Sequence, residues 1–149
     1  MLKQIGTQAK DAAAEIAVLS TDKKNQILQT MADELLKNSK KILDANKLVL
    51  KNSKDIDLTP ALFDRFSLSE ERINGMSNGL LKIIPLEDPV GNITDSWKTD
   101  EGLHIKKIRS PFGVIGVIYE ARPNVTSDVS GLCLKSGNAV ILRGSSYCL

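Results

Sequence analysis

Two short polar segments, each following an apolar run, hold most of the side chains in this sequence that could do chemistry. Glu120-Ala121-Arg122-Pro123-Asn124 follows Gly113-Val-Ile-Gly-Val-Ile-Tyr119, and Arg143-Gly144-Ser145-Ser146 follows Ala139-Val-Ile-Leu142. Guanidinium groups, an amide and serine hydroxyls together are suited to an anionic ligand. Arg143 suits a phosphate best, because its planar fork can make paired charge-assisted hydrogen bonds. Pro123 stiffens the first segment and so lowers the entropic cost of holding its neighbours in place. Spacing alone predicts an anion site; the alternative is a pair of solvated loops with salt-bridged arginines. Gly113 and Gly116 add nothing to it. The dinucleotide fingerprint needs G-x-G-x-x-G after the strand, where the helix begins, and these two glycines open and interrupt the strand itself.

The remaining reactive side chains read as structural. Cys133 falls in an apolar helical run with Val129 and Leu132, the setting of a small buried hydrophobe. Cys148 is next to the last residue, where the chain is poorly anchored. The two cysteines have no metal-ligand spacing, and the expected compartment is the reducing cytoplasm. His104, the single histidine, stands between Leu103 and Ile105. Strand alternation puts it beside Lys106 on the opposite face, exposed and without a chemical role.

The polar segments need a scaffold, and residues 110–149 predict one. The run 113–119 has the pattern of a strand covered on both faces. Val125 to Lys135 suits a helix, Gly137 supplies a left-handed stop, and 139–142 is a second buried strand. Strand, helix and strand make a βαβ unit with parallel strands. In an open sheet of this kind ligands bind beyond the carboxyl ends of the strands, where both polar segments lie.

Residues 92–109 read as a β-hairpin turning at Thr99-Asp100-Glu101-Gly102. Residues 1–91 read as helices. Leu2, Ile5, Ala9, Ala12, Ala13, Ile16 and Leu19 form one apolar stripe, and Ile27, Leu28, Met31, Leu35 and Leu36 form a second. A break at Asn38-Ser39 precedes a third run with Ile42, Leu43, Leu48 and Leu50. Thr59-Pro60 offers a capping hydroxyl before a proline. Ser67 with Glu70 has capping-box spacing and predicts the start of a helix that reaches Leu81. Pro85 and Pro89 end the helical part. The expected fold class is α/β: N-terminal helices, a hairpin arm and a first βαβ unit.

Composition excludes other classes. Twenty Lys and Arg against 18 Asp and Glu leave a net charge of +2, which gives no polybasic arm for nucleic acid. With 42% apolar and 26% charged residues among 149, the chain is neither disordered nor fibrous. No apolar run is long enough for a membrane span, and Lys10, Asp11 and Glu15 break up any signal-peptide core.

The stretch from Ser110 to Gly144, with its YEARPN and LCLKSGNAVILRG segments, closely resembles the central signature of the γ-glutamyl phosphate reductase (glutamate-5-semialdehyde dehydrogenase) family of the aldehyde dehydrogenase superfamily. The likeness extends back through LEDPVG, FDRFSL and ILDAN. It implies an NADP(H)-dependent reduction of L-glutamate 5-phosphate to the semialdehyde in proline synthesis, in a cytoplasmic homo-oligomer. It further implies that Asn124 helps hold the reaction's oxyanion. Glu120, Ala121, Arg122 and Pro123 would form the loop under the cofactor, with Arg143, Gly144 and Ser145 on its adenosine side. The hairpin would be part of an arm that pairs subunits, and the βαβ unit would be the first part of an incomplete cofactor domain. After Gly144 the sequence SSYCL departs from the family, whose nucleophilic cysteine lies in a later domain. The expectation is therefore an N-terminal portion without activity of its own; the alternative is a non-catalytic product that pairs with a partner chain.

Overall fold

A computed structural model of the chain describes residues 1–52, 59–120 and 122–144. The helices begin where short hydroxyl side chains can satisfy their free N–H groups. After α1 (Leu2–Ala17), α2 (Thr21–Lys37) is capped by Ser20, whose Oγ accepts from the Lys23 N–H. Asn38 closes α2, and α3 (Ser39–Asn52) follows. Thr59 caps α4 (Pro60–Phe66), with proline at its first position. The cap of α5 (Glu70–Ile83) is Ser69, whose Oγ accepts from the Arg72 N–H at 3.1 Å. This corrects the expected Ser67–Glu70 box. Ser67 instead ends α4, and its hydroxyl turns back to the Phe63 carbonyl.

The core forms between α2, α5 and α6 (Asn124–Lys135). Leu28, Ala32, Leu80, Ile83 and Leu134 are buried together, with Ile27, Met31 and Leu35 packed on them. A fully buried leucine contributes about 1.5–3 kcal/mol, so Leu28 and Leu80 anchor this helical layer. Gly131 permits the contact between α6 and its neighbours. A Cβ there would lie 2.7 Å from Leu80 Cδ2 and 2.9 Å from Ile83 Cδ1. The expected apolar stripes are only partly buried: Leu36, Leu48 and most of Leu2 (82% exposed) face out. α1 packs on the strands of the βαβ unit, and that contact is narrower than its stripe.

Two small sheets complete the described residues. β1 (Ile93–Lys98) and β2 (His104–Ile108) pair antiparallel, with Gly102 at φ +90° in the turn. Both strands are exposed along their whole length, His104 included. β3 (Val114–Ile118) and β4 (Ala139–Arg143) pair parallel from Val114↔Ala139 to Ile118↔Arg143. β3 is not covered on both faces as its apolar run suggests. Ile115 and Val117 are half-buried, whereas Val114 and Ile118 (84%) are exposed. A two-stranded sheet has helices for only part of its surface.

Asn138 sets the register between β3 and β4. Its Oδ1 accepts from the Gly113 N–H, and its Nδ2 donates to the Ser136 carbonyl and hydroxyl. Next to it, the Ala139 N–H donates to the Gly113 carbonyl. Gly137, at φ +77°, makes the left-handed stop before β4.

Candidate functional site

The described residues of the two polar segments stand at the carboxyl ends of β3 and β4: Glu120 and Arg122 come after β3, Arg143 is the last residue of β4 and Gly144 follows it. The Tyr119 N–H donates to the Arg143 carbonyl, so the two chain ends of the sheet are adjacent there. Arg143 is exposed, and its guanidinium donates to the neighbouring Gly144 carbonyl at 2.8 Å. Glu120 is also exposed. Ala121 and Ser145 lie outside the described residues.

Asn124 opens α6. Its Nδ2 donates to Asp128 Oδ2 at 2.9 Å, one helical turn on, and this contact fixes the plane of the amide. An amide nitrogen carries two hydrogens, so one remains to donate elsewhere. The hydroxyl of Thr126, on the same helix, shares a hydrogen bond of 2.6 Å with that of Tyr119, which ties the residue after β3 to the first turn of α6.

Arg122, Pro123 and Asn124 line a cleft of about 400 Å³ closed on its other side by α4 and α5. Arg143 and Gly144 do not line it, so the residues singled out from sequence divide between the sheet edge and this cleft. The cleft adds Asp64, Arg65, Arg72 and Asp128, which the sequence reading missed. Arg72 makes a two-pronged pair with Asp64, 3.0 and 3.1 Å to its two oxygens, and also donates to the Asp64 and Ser67 carbonyls. The guanidinium groups of Arg65 and Arg122 have no ion pair or hydrogen bond among the described residues. Their meeting across the cleft left no local signal, because α4 and the start of α6 are almost sixty residues apart in sequence. Among the described residues no cluster of His, Cys, Asp and Glu could hold a metal, and no helix is long and apolar enough to cross a membrane.

Cys133 is buried (5% exposed), and burial pushes its thiol up, away from the reactive thiolate.

No family model matches the chain. It is 48% identical over 148 residues to the γ-glutamyl phosphate reductase of Desulforamulus reducens, a match covering 99% of this chain and 36% of that protein. The likeness to the Haemophilus influenzae protein of that name is 51% over 144 residues, covering 97% and 34%. The crystal structure of γ-glutamyl phosphate reductase from Thermotoga maritima superposes with a TM-score of 0.95 at 37% identity, over 99% of this chain and 36% of that one. The chain is a homologue of the N-terminal portion of γ-glutamyl phosphate reductase. The reductase from Saccharomyces cerevisiae superposes almost as well, with a TM-score of 0.91 at 34% identity over 97% of this chain and 37% of that one. The chain thus spans about a third of the length of the γ-glutamyl phosphate reductases it matches, and the six helices and two small sheets among its described residues reproduce that part of their fold.

Proposed function

We propose that the chain forms the N-terminal part of an NADPH-dependent reductase that converts L-glutamate 5-phosphate to L-glutamate 5-semialdehyde in cytoplasmic proline synthesis. The observation that carries this is the superposition of nearly the whole chain on a solved reductase, with Asn124 held at the start of α6 beside a cleft. In the reaction a thiolate attacks C5, a sulfur–carbon bond forms as the carbon–oxygen bond to phosphate breaks, and phosphate leaves. A hydride then adds to the thioester carbon and the thiolate departs, leaving the aldehyde. The Asn124 amide donates to the carbonyl oxygen as negative charge builds on it. Cys133, buried and with its thiol pushed up, is not the nucleophile.

The sheet edge fits the cofactor in kind. An exposed residue with a guanidinium at Arg143, the last of β4, and a residue without a side chain at Gly144 just after it suit the phosphate and ribose groups of a dinucleotide. NADPH, when bound, supplies the hydride. In this reading Glu120, Arg122 and Pro123 lie beneath the cofactor, and β1–β2, exposed on both faces, pairs with a second subunit. The reading divides the chain into helices at 1–91, the arm at 92–109 and the cofactor segment at 110–149.

The test is a hybrid enzyme. This chain replaces the matching first third of the Thermotoga maritima reductase, and phosphate-dependent reduction of NADP⁺ by the semialdehyde is followed. Activity near the parent's supports the proposal; a folded but inactive hybrid refutes it.

A further inference from the structure

Asn124 can meet a developing oxyanion in two ways, and only one helps. Its side-chain amide has a donor end and an acceptor end of nearly equal size, and a half-turn about the Cβ–Cγ bond exchanges them. The nitrogen end donates to the negative charge, whereas the oxygen end repels it. An asparagine at a helix start ordinarily turns its oxygen onto free main-chain N–H groups. α6 makes no such demand. It begins without a side-chain cap, and the Val125 and Thr126 N–H groups donate to the Arg122 and Pro123 carbonyls. The amide is engaged instead by Asp128, one turn on, whose Oδ2 accepts from Nδ2 at 2.9 Å. A carboxylate only accepts, so it bonds the nitrogen end and never the oxygen end. The carboxylate is itself confined. Asp128 is half-buried, and α5 approaches so closely that a Cβ on Gly79 would lie 3.3 Å from its Oδ1. Its negative charge is offset within the cleft, which three arginines and two aspartates line.

We propose that Asp128 is the positioning residue for Asn124: it selects the orientation in which the amide nitrogen, with its second N–H, faces the reacting carbonyl. The inference rests on the reading that Asn124 donates to that carbonyl. It gives Asp128 an effect on the rate of the chemical step and none on how tightly substrate or cofactor binds. That effect passes through Asn124 alone.

The test is a double-mutant cycle in the hybrid enzyme, with kcat and the KM for the semialdehyde measured for Asp128→Ala, Asn124→Ala and the two together. Asp128→Ala is expected to lower kcat about tenfold at unchanged KM, the lower end of what a hydrogen bond to a charged group contributes. In the Asn124→Ala background it should lower kcat no further. Asp128→Asn, whose amide donates as well as accepts and so no longer chooses an end, should give an intermediate kcat; it keeps the test open if the alanine variant fails to fold. Parent kcat in either Asp128 variant, losses that multiply in the double variant, or a raised semialdehyde KM at unchanged kcat overturns the inference. If Asn124→Ala is slow and Asp128→Ala is not, the inference fails while the functional reading stands. If Asn124→Ala keeps the parent kcat, both fail.

Discussion

Lys24 Nζ lies 2.8 Å from Asp88 Oδ2 and 3.1 Å from Oδ1, and the lysine is fully buried. The Asp88 carboxylate also accepts from the Thr21 hydroxyl and the Val90 N–H, both at 3.0 Å. This one carboxylate thereby fastens the segment that leaves α5 for the hairpin onto the first turn of α2. A second buried lysine does a related task. Lys135 donates to Asn25 Oδ1 and to the Ile84 carbonyl, joining the end of α6 to α2 and to the end of α5.

Removing Asp88 would leave the Lys24 charge buried without a partner, a change that typically costs about 3–5 kcal/mol. Asp88→Ala should lower the urea-unfolding free energy by that order. Burial pushes the Asp88 carboxyl up, but the hydrogen bonds from Lys24, Val90 and Thr21 and the lysine's charge outweigh it and hold the group below its ordinary value. A lowered carboxyl in the folded state contributes stability that is present above the unfolded value of about 3.9. That stability is lost as pH falls through the lower folded value. Stability measured downward from pH 5 should drop more steeply in the native chain than in Asp88→Asn.

Gly131 leaves no room for a side chain between α6 and the Leu80–Ile83 face of α5. Gly131→Val should destabilise by about 1–3 kcal/mol through overpacking, measured as a fall in the denaturation midpoint. An equal or higher midpoint would mean that α6 can move away from α5 at no cost.

Much of this architecture was legible in local patterns. The βαβ unit, the hairpin and the Thr59-Pro60 helix start follow from apolar runs, a glycine turn and a capping hydroxyl that act within a few residues. The α5 cap was misplaced by two residues because two serines, Ser67 and Ser69, stand close together and only the backbone direction decides between them. Burial was harder to read. Leu2, Leu48 and Ile118 are apolar in the right rhythm, yet each faces outward, since rhythm reports a face and not whether anything covers it. The cleft was only half legible. Arg122 and Asn124 stood out beside a strand end, whereas Arg72 joined them through the packing of α5 on α6 and Arg65 came from α4, distant in sequence.

Cys133 should resist alkylation in the folded chain, since burial shields it and pushes its thiol up. Peptide mapping after iodoacetamide treatment should find Cys133 unmodified under native conditions and fully modified in urea. Rapid native labelling would contradict the burial.

The 149 residues on their own should show no phosphate-dependent reduction of NADP⁺, because they match only about a third of the reductases and Cys133 is buried with its thiol pushed up. NADPH binding should be weak, since the described part of the sheet offers only the edge formed by two parallel strands. Turnover by the purified chain, free of host enzyme, or a micromolar dissociation constant by calorimetry, would show these expectations wrong.

The most direct measurement compares the hybrid enzyme with its Asn124→Ala variant. If Asn124 supplies a hydrogen bond to the developing oxyanion, kcat should fall about 10²–10³-fold, the usual effect of losing one such donor. The KM for NADP⁺ should stay unchanged and the variant should remain folded. Equal kcat in the two enzymes would contradict the claim that this chain brings Asn124 to the reacting carbon.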